Sequence, residues 1–244
     1  GVGVIVLALM GWIVSFGVPY HPPAAPNAKF PIGGPGHTIP TLWEIFHDRD
    51  FRTILLIDVW IWTFGAMLLL GINPLPSELN IAGEDAAMRL AARLNAVEML
   101  GLAVGGVLSV YLSRRKHWIH LLGVGMLLLG LSATGMKSLA YVPESFCWPL
   151  AYLFQAITGL AVGLVMIPCE SFLQIRPPAD RKGEMLAAGN FLVFAGITAG
   201  ALGMGEMTTC FGAANSIMML GIVAFPMGLW LLFYRSRDTE EPHV

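Results

Sequence analysis

Seven long apolar stretches occupy most of this 244-residue chain: 1–18, 53–72, 94–112, 118–136, 147–173, 185–207 and 212–234. Each is near or above the ~20 residues that an α-helix needs to cross the hydrocarbon core of a bilayer. Composition agrees, with 56% hydrophobic and only 12% charged residues, against roughly 25% charged in a typical soluble domain. The expectation is an all-α integral membrane protein with seven transmembrane helices.

Where the charges sit says more than their sum. The net charge of −2 carries no sign of a nucleic-acid partner, and none is expected. With helices that alternate direction, the segments after the first, third and fifth stretches share a side with the C-terminal tail. That side holds eleven of the fourteen Lys and Arg residues: Lys29, Arg49, Arg52, Arg114, Arg115, Lys116, Arg176, Arg181, Lys182, Arg235 and Arg237. The other side holds Arg89, Arg93 and Lys137. Positive loops are retained in the cytoplasm, so the tail is expected to be cytoplasmic and Gly1 to lie outside. The first stretch has no Met or basic region before it, unlike a signal peptide. It reads as the interior of a longer protein with further helices upstream.

The longest polar gap, 19–52, opens Pro-, Gly- and Ala-rich and reads as an extended linker. From Thr38 it changes character. Pro40 suits a first helical turn, and Leu42, Trp43, Ile45 and Phe46 form an apolar stripe beside Glu44, Asp48 and Arg49. This pattern predicts an amphipathic helix on the cytoplasmic interface. Residues 113–117, 174–184 and 208–211 are short connections, expected to join sequence neighbours as antiparallel hairpins. The resulting division is a lone helix at 1–18, a linker with its amphipathic helix at 19–52, a six-helix bundle at 53–234 and a tail at 235–244. One helix plus six is what a twelve-helix transporter cut near the end of its first half leaves, since its halves are parallel repeats. Gly101-x-x-x-Gly105, Gly159-x-x-x-Gly163 and Gly196-x-x-x-Gly200 are expected packing notches between helices.

Polar groups inside apolar stretches are the functional candidates. An Asp at a helix centre costs about 2.5–3.5 kcal/mol on translocon scales, so it faces a cavity or a partner. Asp58 lies about 8 Å beyond Thr53 along a helix, with Trp62 continuing its face; it lines a pathway or reaches back to water or Arg52. Glu98 and Asn95 share a face of the third stretch and either take up a proton or lipid ammonium or pair near the outer surface. Gln155 and Thr158 in the fifth stretch and Asn190 in the sixth serve as interhelical hydrogen-bond partners or ligand contacts. Glu170 and Gln174 precede Arg176, and with Arg181 and Lys182 they predict a salt-bridged latch between helix ends. Arg114 and Arg115 belong to the same cytoplasmic gate and loop group.

Enzyme signatures fail in turn. Gly130-Leu-Ser-Ala-Thr-Gly135-Met-Lys-Ser resembles a phosphate loop, but Met136 intrudes before Lys137 and no strand precedes it. None of the six histidines has an Asp after four intervening residues, as glycerolipid acyltransferases require. His117 and His120 have no carboxylate or Cys to complete a metal site, and no Gly-x-Ser-x-Gly elbow is present. Cys147, Cys169 and Cys210 fit neither a disulfide framework nor zinc, and are expected as buried apolar thiols. No enzyme activity, metal or cofactor is expected, and transport would draw on a gradient.

Three stretches resemble the major facilitator superfamily, and within it the lysophospholipid transporter branch. Trp60-Ile-Trp-Thr-Phe-Gly65-Ala66 is similar to the start of that family's seventh helix, and Leu94-Asn95-Ala96 with Gly101 and Gly105 to its eighth. Residues 168–191, beginning Pro168-Cys-Glu-Ser-Phe-Leu-Gln and passing Arg181-Lys-Gly to Asn190-Phe191, resemble its tenth and eleventh helices. Glu170 stands where the family usually has Asn, and Leu69 close to where some members carry an Arg. The basic loop at 106–116 lacks the superfamily's Asp. The resemblance implies a permease that moves lysophospholipid, or a related amphipathic substrate, across the inner membrane by alternating access. It also implies the other half of the same protein as a partner, and in some relatives a fused or separate acyltransferase. A membrane scaffold for such an enzyme, or a drug or sugar exporter of the same fold, is the competing reading.

Overall fold

A computed structural model describes residues 2–19, 35–79, 83–113 and 118–235. The elements are α1 (Val2–Ser15), α2 (Pro35–His47), α3 (Arg49–Ile72), α4 (Leu75–Glu78), α5 (Glu84–Leu112), α6 (Trp118–Gly135), α7 (Glu144–Ile175), α8 (Lys182–Phe211) and α9 (Ala213–Phe233). A 3-10 turn, Met136–Tyr141, continues α6. Among the described residues six helices, α3 and α5 to α9, are long and apolar enough to cross a membrane. The chain is thus an all-helical bundle of membrane type. The first of the seven expected spans is a shorter apolar helix: α1 has 14 residues, all exposed, or about 21 Å of rise against a hydrocarbon core of about 30 Å.

The helix expected near Thr38–Arg52 divides in two. α2 ends at His47, and Asp48 adopts an extended conformation whose carboxylate accepts from the backbone N–H groups of Asp50 and Phe51. An N-cap of this kind satisfies amides that the first turn leaves without partners, so α3 starts at Arg49 instead of Thr53. Nor does α2 lay its whole stripe on a membrane interface. Thr41 and Ile45 are buried, Leu42 and Phe46 pack on the core, and Trp43 alone of the stripe stays exposed. The helix lies against α8 and α3.

Helix pairing departs from the hairpins that the short connections suggested. The dominant pairs are α5 with α7, α6 with α9 and α3 with α8. Glycines make each pair close. A Cβ on Gly101 or Gly105 would strike the backbone of Ala156 or Leu160, and one on Gly159 or Gly163 the backbone of Glu98 or Leu102. The numbering rises together on both helices, so α5 and α7 run parallel. α3 and α8 are likewise parallel, with Gly196 against Val59 and Thr63 and Gly200 against Thr63 and Met67. α6 and α9 are antiparallel, with Gly123 facing Gly228 and Gly130 facing Gly221. The three Gly-x-x-x-Gly notches therefore serve packing as expected, while the two pairs of glycines seven apart on α6 and α9 add a contact that four-residue spacing does not reveal. Exchanging α3 with α7, α5 with α8 and α6 with α9 maps these three dominant pairs onto themselves with every helix direction reversed, although α6 packs on α7 far more than α3 does on α9.

The ends are tied by polar contacts. Gly212 takes a positive φ of 80° at the turn from α8 to α9, and the Glu78 carboxylate accepts from the N–H groups of Ala213 and Ala214. A carboxylate there satisfies free amides and opposes the helix dipole. At the far end of α9, Tyr234 donates to Asp50 Oδ1 at 2.7 Å and Arg49 lies 4.9 Å over its ring. Burial pushes the Tyr234 hydroxyl up, which keeps it a donor. Cys147 and Cys169 are buried as expected, but Cys210, in the last turn of α8, is exposed.

Candidate functional site

Asp58 lies nine residues beyond the start of α3, about 14 Å along it, and is buried to 3% exposure. It opens onto a narrow cleft where α3 meets the last turns of α7 and the first turns of α8. Glu170 and Asn190 line the same cleft, with Leu55, Leu173 and Met185 as its apolar walls. Its interior volume of about 20 Å³ has room for about one water. Oδ1 of Asp58 has no hydrogen-bond partner among the described residues. One turn on, Trp62 is 40% exposed and donates to Glu170 Oε1 at 3.3 Å, a long bond. Three of the expected pathway groups, Asp58, Trp62 and Asn190, are thus gathered here. Glu170, expected in the latch, joins them instead.

The second cluster is built by the α5–α7 pair. Because α5 starts at Glu84, Glu98 occupies the middle of its 29 residues, deeper than a span starting at Leu94 implied. Gln155 of α7 donates through Nε2 to Glu98 Oε2 at 2.7 Å, and both side chains are buried. Gln155 Oε1 and Asn95 Oδ1 have no hydrogen-bond partner among the described residues. One turn further along α7, Thr158 shares a 2.8 Å hydrogen bond with Ser132 of α6. Gln155 and Thr158 are therefore interhelical partners, and Ser132 is a contributor that the sequence reading passed over. The pair holds an ionisable carboxyl at mid-helix with its amide partner half satisfied, a pattern costly to keep in hydrocarbon without a use.

At the end of the bundle that carries α2, a latch forms with partners other than those expected. Arg176, just after α7, donates to Asp48 Oδ2 from Nε at 3.1 Å and from a terminal nitrogen at 2.9 Å. Arg181 bridges both carboxylate oxygens of Glu44 at 2.7 and 2.8 Å and reaches Glu184 at 3.2 Å. Thr41 donates to Glu184 Oε1. The hydrogen bonds to Glu184 and Glu44 hold the Arg181 guanidinium above its ordinary value, so the cation is permanent. Gln174 is exposed, and Arg114 and Arg115 lie outside the described residues. Glu44 and Asp48 were legible as acids facing a basic side, but nothing in their spacing named Arg181 and Arg176.

Exposed ion pairs are worth about 0–1 kcal/mol each, so the latch governs where α2 sits more than whether the bundle folds. The Arg176→Ala, Arg181→Ala double substitution is expected to leave thermal unfolding nearly unchanged. It should speed maleimide labelling of an Ile45→Cys reporter several-fold, about the factor that 1 kcal/mol brings. Equal labelling rates in the two backgrounds would show that apolar contacts alone seat α2.

Among the described residues no group of three His, Cys, Asp or Glu could hold a metal ion. No protein-family model, curated protein or solved structure matches this chain.

Proposed function

We propose that this chain is the C-terminal six-helix half, with the preceding helix and linker, of a major facilitator type secondary transporter. In this reading it moves a lysophospholipid or related amphipathic substrate across the inner membrane by alternating access, without covalent chemistry. The observation that carries it is the set of three dominant pairs, in which α3, α5 and α6 exchange with α7, α8 and α9 under reversal. Nested three-plus-three inverted repeats are how each half of such a transporter is built. The two buried carboxyls add to the case, since ionisable groups inside apolar helices mark ion or proton paths more often than packing.

The two clusters take different parts. The Asp58 cleft has room for a water or a proton carrier and none for a lipid. Asp58, with Glu170 and Asn190, is therefore assigned to coupling and not to cargo. Glu98, held by Gln155 at mid-helix, borders the path between the two halves together with Asn95 and Trp62. α5 and α8 are the least enclosed of the long helices, with 28% of their apolar stretches buried against 50% in α3 and α7. Their open faces are where the other half would move.

The test is uptake of labelled lysophospholipid by proteoliposomes holding the full-length protein that carries this chain. Protein-dependent uptake that collapses with the ion gradient is the expected result. Uptake equal to that of empty vesicles would remove the cargo assignment, and efflux of a sugar or drug in the same vesicles would replace it.

A further inference from the structure

We propose that the end of the bundle opposite the latch carries a site for the phosphate-bearing, anionic head group of a membrane lipid, built by Arg89 and Arg93 of α5 and Trp148 and Tyr152 of α7. With Ala86 and Leu90 these side chains line a cavity of about 370 Å³, within the roughly 300–1,000 Å³ range of small-molecule sites. Four-residue spacing on each helix puts each pair on one face, and the parallel course of α5 and α7 sets the two pairs level. Below them Gly101, Gly105, Gly159 and Gly163 bring the backbones together. Above the glycines the cavity is lined by the arginine stems of α5 and the aromatic rings of α7.

Depth and charge choose the occupant. The 29 residues of α5 span about 43 Å at 1.5 Å each, close to the ~40–45 Å of a bilayer with its head-group layers. Arg89 lies about 8 Å from the start of α5, at the base of the head-group layer, and Arg93 about 14 Å from it, so the long Arg93 side chain snorkels back to that layer, where Trp and Tyr also concentrate. Both arginines are exposed and, among the described residues, neither forms an ion pair, although Glu84 and Asp85 stand a turn away. Arg176 and Arg181 at the other end are both paired. A guanidinium binds phosphate through two parallel N–H donors. The walls of the cavity are apolar, which suits the glycerol and first methylenes of a lipid and gives a free, hydrated anion nothing to gain. The site lies far along α5 and α7 from the latch and outside the Asp58 cleft, and it holds independently of whether transport occurs.

Native mass spectrometry of the full-length protein released from detergent, with added phosphatidylglycerol or phosphatidylcholine, tests this. Wild type is expected to retain phosphatidylglycerol in preference to phosphatidylcholine. The Arg89→Gln, Arg93→Gln double substitution should weaken retention by about tenfold, as loss of charge-assisted bonds does. Leu90→Trp keeps both charges and fills the cavity, and it should weaken retention as much. Wild-type retention in Leu90→Trp would mean that the arginines act only as a surface field, and would overturn the site. Equal retention of the two lipids, or full displacement of phosphatidylglycerol by millimolar inorganic phosphate, would overturn it too, the latter in favour of a soluble anion.

Discussion

Gly159→Val should leave no monodisperse protein after detergent extraction, whereas Gly203→Val should extract and elute like wild type. Both glycines lie within long apolar helices, so hydropathy and helix propensity change alike in the two variants. Their surroundings differ. A Cβ at Gly159 strikes the carbonyl of Glu98 and approaches the amide of Leu102, while one at Gly203 meets nothing within 4 Å. Overpacked cores usually lose about 1–3 kcal/mol. The loss at Gly159 should exceed that range, because the obstructing atoms are backbone and cannot change rotamer. Against a total stability of about 5–15 kcal/mol, and with α5–α7 the most extensive helix pair of the bundle, this is enough to unfold it. Fluorescence-detected size-exclusion chromatography of tagged variants gives the answer. Normal elution of Gly159→Val would mean that α5 and α7 are not in backbone contact.

Asp58→Asn and Glu98→Gln are expected to lower gradient-driven lysophospholipid uptake by about 5- to 150-fold, the range of a 1–3 kcal/mol coupling, with no loss of folded protein. The substitutions are nearly isosteric. Gln at 98 can still accept from Gln155 Nε2, and Asn at 58 replaces an ionisable carboxyl whose Oδ1 has no partner among the described residues. Removing an intramembrane carboxyl should, if anything, raise stability. A group present only for packing would therefore leave uptake intact, and undiminished uptake in both variants would return them to structural roles. Loss in Asp58→Asn that persists when downhill exchange is measured without a gradient would move Asp58 from coupling to cargo contact.

Which polar residues lie inside apolar stretches was readable from residue type alone, and Asp58, Glu98 and Gln155 are buried as that reading requires. Their partners were not readable. Glu170 is four residues from Gln174 and six from Arg176, which suggested a shared latch. It turns instead into the Asp58 cleft, because a helix face and a neighbour on α3 decide its direction. Asp48 looked like one more charge of an amphipathic helix, yet it ends that helix, caps the next and holds Arg176. These roles depend on which backbone amides lack partners, and that is known only once the helices have boundaries.

What the chain determines by itself is a sum over local positions. About 20 consecutive apolar residues cross hydrocarbon wherever they occur, so the six long helices among the described residues were legible in the sequence, which also suggested a seventh at 1–18 that forms a shorter helix. Helix partnership is different in kind. Lipid tails are as apolar as the helices, so no hydrophobic drive favours neighbours joined by short loops, and close packing of small residues decides instead. The glycines of α5 match those of α7 and the glycines of α6 match those of α9 only in three dimensions. The tertiary structure alone thus chose partners distant in the chain over hairpins, and with them the places where Glu98 meets Gln155 and Asp58 meets its cleft.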